Sequence, residues 1–122
     1  MEANGRKEPS FFVEGMDVIL KRDLSNHKSL LERTKTELIA YRTARSHEIK
    51  KKKHYTGLVG QGKYNDEALQ SAMHDISLNI RHMSDKAVAA EEKIKHHELI
   101  IETLTRQLDD YNDGLRNYAA NN

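Results

Sequence analysis

From Leu69 to Tyr118, uncharged residues recur at alternating steps of four and three: Leu69, Met73, Ile76, Ile80, Met83, Ala87, Ala90, Ile94, His97, Ile101, Leu104, Leu108, Tyr111, Leu115 and Tyr118. The residues between them are mostly charged or amide-bearing. A repeat averaging 3.5 residues keeps its seam on one face only when the helix winds along a partner. At 1.5 Å per residue such a helix is roughly 75 Å long, too long to be wrapped inside a compact fold of this size. Another part of the chain, or another chain, must lie along it.

The first half supplies that partner. Leu20, Leu24, His27, Leu31, Thr34, Leu38 and Tyr41 repeat the same steps, and the pattern decays through Arg45 to Ile49. Between the two seams, residues 55–64 read YTGLVGQGKY, with glycines at 57, 60 and 62 that interrupt a helix. Asn65 or Asp66 can cap the helix that follows, and Asp66 and Glu67 suit its positive end. The expected fold is all-α: a long antiparallel helical hairpin of coiled-coil type. Its helices are expected at about 11–54 and 66–118, joined by a Gly-rich loop at 55–65. Residues 1–9 read as a polar arm ending at Pro9, and 119–122 as a frayed tail. Ser10 can cap a helix that begins with Phe11, Phe12 and Val13; Gly15 leaves a short separate segment, or a kink there, as open as one continuous helix.

Folding the chain about its loop sets Tyr41 against Ile80, Leu38 against Met83, Thr34 against Ala87 and Ala90, and Leu20 against Leu104. His27 and His97 fall in one layer, where two imidazoles can share a hydrogen bond, one donating and one accepting. Two helices cover only one side of each seam. Leu78, Val88, Leu99 and Ile100 read as widening the apolar stripe, and Phe11, Phe12 and Val13 also need cover. Self-association into a helical bundle, dimer or larger, is therefore expected.

Charge is uneven along the chain. Residues 1–64 carry 14 Lys/Arg against 8 Asp/Glu, and residues 65–122 carry 6 against 11. Opposite signs suit two helices lying side by side, and they argue against a uniformly basic coat for duplex DNA. The chain has no Cys, which removes disulfides, thiol catalysis and Cys-based zinc sites and fits a cytoplasmic setting, that of the host cell if the chain is viral. No apolar run reaches the ~18 residues of a membrane span.

Gly57 to Lys63 matches the spacing of a phosphate-binding loop, G-x-x-x-x-G-K. The preceding strand, the Ser/Thr at position 64 and the room for a parallel sheet are all missing, so nucleotide hydrolysis is not expected. A looser anion site remains open. Lys50, Lys51, Lys52, Lys53, His54 and Lys63 gather charge near Gly60 and Gly62, and Tyr55 and Tyr64 could stack on a base. The plainer reading has the lysines answering the helix dipole and the glycines making a turn. The seven histidines include no i, i+4 pair, so no metal site is expected. No cofactor motif and no nucleophile with a nearby base appear, and no catalytic residue is assigned.

The expected function is non-enzymatic binding of a macromolecular partner by an oligomeric helical protein. A regulator or inhibitor encoded by a virus or mobile element fits the small size. Sequestration of a nucleotide or oligonucleotide at the basic tip is the first alternative, and a structural scaffold the second.

Overall fold

A computed structural model describes residues 15–120. The fold is an all-α hairpin of two long helices packed against each other, α1 (Met16–Leu58) and α2 (Asp66–Ala120). No strand occurs among the described residues. The arm at 1–9, Ser10, Phe11, Phe12 and Val13 lie outside them, as do Asn121 and Asn122.

Gly15 marks the start of α1. Its φ of +85° is left-handed, and its carbonyl accepts the Ile19 amide at 3.0 Å. Beyond it neither Pro nor Gly intervenes until Gly57, so nothing breaks the helix. The helix does not stop at His54, as the sequence suggested, but continues through Leu58. Tyr55 and Leu58 are half-buried, and the Thr56 hydroxyl lies 2.8 Å from the Lys52 carbonyl and 3.3 Å from the Met73 sulfur of α2. Gly57 stays helical. The turn is made by Gly60 and Gly62, whose φ values of +82° and +77° favour a residue without a Cβ. Asn65 then caps α2, its Oδ1 accepting the Ala68 amide at 3.0 Å.

By contact, the described residues fall into two compact units. In the unit formed by residues 32–94, Leu38, Ala87 and Ala90 are buried together, with Tyr41 and Ile94 packed against them. Leu69, Ile76 and Thr34 are also buried here. The Lys86 ammonium sits 5.7 Å from the Tyr41 ring centroid, within cation–π range. Within this unit two contacts depart from the expected register: Leu38 packs on the alanine waist and not opposite Met83, and Tyr41 meets the Lys86 level, not Ile80.

In the unit formed by the described residues of 1–31 and 95–122, Leu20 and Tyr111 are buried. They line a small depression of about 160 Å³ with Met16 and Gln107, so Leu20 lies by Gln107 and Tyr111, further along α2 than the Leu104 expected. Leu24, Leu104 and Leu108 are half-buried. Leu115 and Tyr118, read as seam residues, are exposed. They follow Tyr111, which already lies beside the first turn of α1.

Every buried apolar residue among the described ones belongs to the 4-3 seams, yet no large side chain there is wholly buried. A two-helix core has only one layer, and one side of each helix stays uncovered.

Candidate functional site

Three places could carry function: the hairpin tip, the histidine layer and the outer sides of the helices.

At the tip, the expected anion-binding residues lie along the end of α1 and the turn that follows. Lys50, Lys51, Lys52 and Lys53 are consecutive helical residues, each turned about 100° from the last, and all four are exposed. They surround α1 and do not converge. Lys51 pairs with Glu48 at 3.0 Å. The His54 and Tyr55 rings lean on each other at 5.8 Å between centroids, while Tyr64 and Lys63 are exposed. The Gly60 amide, which an anion would require, donates to Asp66 Oδ1 at 3.1 Å. The Gln61 side-chain amide donates to the Gly57 carbonyl. The positive end of α2 is thus met by the chain's own Asn65 and Asp66.

Above the tip, one polar site was passed over in the sequence. Continuing the 4-3 steps from Tyr41 lands on Glu48, where the eye moves to the neighbouring Ile49. Both are half-buried. The Glu48 carboxylate accepts from Asn79 Nδ2 at 2.9 Å and from Lys51 at 3.0 Å. These bonds, Asn79 first and then Lys51, hold its carboxyl below the usual carboxylate range. The site joins the helices by a charge-assisted bond.

His27 and His97 do meet. Their Nδ1 atoms are 3.1 Å apart, with ring centroids at 5.3 Å and planes tilted by 49°. The distance is that of a hydrogen bond and requires one ring to donate while the other accepts. The next residue, His96, turns its ring to 5.7 Å from that of His97. Among the described residues no three His, Asp or Glu side chains converge where a metal ion could sit.

On the outer sides, the residues expected to widen the seam divide. Ile100 is half-buried and does so. Leu78, Val88 and Leu99 are 52%, 53% and 62% exposed and lie away from the opposing helix. The sequence reading also omitted Ile39 of α1, which is 65% exposed. It lies along a shallow open groove of about 400 Å³ with Arg42, Thr43, Ser46, His47 and Lys50. Its signal was present in the sequence: an Ile beside the seam residue Leu38, pointing elsewhere.

No helix among the described residues is long and apolar enough to cross a membrane. Neither a protein-family model, nor a curated protein, nor a solved structure matches the chain.

Proposed function

We infer that this protein is non-enzymatic and works by binding a macromolecular partner along the outer sides of its helices. The observation that carries this reading is the exposure of Ile39, Leu78, Val88 and Leu99, each more than half open to solvent. Single exposed apolar residues are common on protein surfaces. With Val18, which is 61% exposed, they occur on both helices of a hairpin rich in surface charge, and burying each branched side chain contributes roughly 1.5–3 kcal/mol. The long helices hold them on rigid backbone, which lowers the entropy lost on binding. A regulator, an inhibitor or a scaffold can act this way. Sequestering a nucleotide at the tip has less support, because the lysines diverge and the Gly60 amide is already engaged.

The test is a photo-activated cross-linking residue placed singly at positions 39, 88 and 99 of the full chain, expressed in its source cell. Adducts are expected from these positions and not from the buried position 90. Equal yields from all four positions, or none above an unirradiated control, would overturn the reading.

A further inference from the structure

Where α1 begins beside the last turns of α2, Met16, Leu20, Gln107 and Tyr111 line a depression of about 160 Å³. Leu20 and Tyr111 are buried and Met16 is half-buried. The lining carries no charged side chain, and most of it is apolar. A closed apolar cavity of about 150 Å³ takes up a benzene molecule. The depression therefore has the size and the chemistry for one phenyl ring.

The seam of α2 also outlasts its partner here. Leu115 follows Tyr111 in the same 4-3 series and is 39% exposed. α1 starts at Met16, which is level with Tyr111. Within the chain, whatever continues the cover over Leu115 must come from residues 1–14. They lie outside the described residues, but their sequence is specific. The chain has two Phe, and both stand here, Phe11 four residues and Phe12 three residues before Gly15.

We propose that the depression is a docking site for the chain's own Phe11–Phe12 segment, with one ring seated between Leu20 and Tyr111 and the segment lying over Leu115. Gly15 is where the chain can turn to do this. Its φ of +85° belongs to the left-handed region, so the backbone leaves the line of α1 at that point. The reach is sufficient. Three residues span at most about 11 Å and four about 14 Å, and Met16, the neighbour of Gly15, is itself a wall of the depression. Neighbouring side chains point to different sides of a helix or strand, so one ring enters and not both. A second copy carries the same two rings. The chain's own pair is tethered next to the depression, at an effective concentration in the millimolar range, and a separate molecule must be that concentrated to compete. The outer residues Ile39, Leu78 and Val88 take no part, so this inference stands apart from the reading that they bind a partner.

NMR of the full chain tests this. With two Phe present, Phe11→Leu and Phe12→Leu assign the ring signals. Nuclear Overhauser contacts are expected from one Phe ring to the Leu20 methyls and the Tyr111 ring, unchanged across a dilution series. Phe11→Ser with Phe12→Ser is expected to lower the melting temperature by about 5 °C with helicity retained. Absence of the ring contacts overturns the proposal, and so does an unchanged melting temperature. Contacts seen only between differently labelled chains in an isotope mixture overturn it as well, and they would assign the depression to a second copy.

Discussion

At the scale of single residues, the fold depends on how closely the helices approach. Ala90 is buried against Leu38 and Ala87. Ala90→Leu adds three carbons to that layer and is expected to destabilise the protein by about 1–3 kcal/mol; an unchanged melting temperature would show that the layer has room. Glu48 gives a prediction in pH. Its folded-state pKa lies below the ordinary value because Asn79 and Lys51 donate to its charged form. A lowered value contributes stability above the unfolded pKa, and that contribution is lost as pH falls through the folded one. Stability is expected to decline below about pH 4.3 for this reason. In an NMR titration, Asn79→Ala is expected to move the Glu48 midpoint upward, and no movement would mean that the cross-helix bond does not form in solution. For the histidines, a double-mutant cycle with His27→Leu and His97→Leu is expected to give a coupling of about 0.5–1.5 kcal/mol. Additive losses would separate the two rings.

At the scale of elements, the question is where α1 ends. The three glycines of the tip look alike in sequence and have opposite roles. Gly57 is helical with open space around its Cα, so Gly57→Ala is expected to stabilise by about 0.5–1 kcal/mol. Gly60 also has open space, but its φ is +82°. Gly60→Ala is therefore expected to destabilise by about 1–2 kcal/mol through the backbone alone. Thermal melts of the two variants check both signs. If both changes destabilise, α1 ends earlier than Leu58. The cap at Asn65 is a separate device, and Asn65→Ala is expected to cost about 1 kcal/mol.

At the scale of the whole molecule, the chain's charges nearly cancel, with a net of +1, while their distribution between the helices does not. That separation suits contact with an object that also carries both signs. It suits a polyanion poorly. A labelled oligonucleotide is expected to show no saturable binding at about 0.15 M salt, where charges beyond roughly 8 Å are screened. A saturable complex that Lys51→Glu with Lys63→Glu abolishes would return function to the tip.

The 4-3 spacing by itself determined that there are two helices, that they pair and, as far as Tyr111, which residues face inward. All the buried apolar residues found, from Leu20 to Tyr111, stand in that series, because a helical period places a residue on a face whatever the rest of the chain does. The His27–His97 contact was legible from the seams together with the antiparallel fold about the loop, which set both rings in one layer. The rest of the register was not: Leu38 and Tyr41 found other partners than expected, and Gly57 and Gly60 become distinguishable only through their backbone conformations in the folded chain. Glu48 was hidden because a carboxylate in a seam reads as an interruption until Asn79, from the other helix, is seen to satisfy it. The outer residues were settled last. Leu78, Val88 and Leu99 lie close enough to the seam in sequence to be counted with it. Only the packing of α1 against α2, which covers one side of each helix and leaves the other in water, decided that they point away.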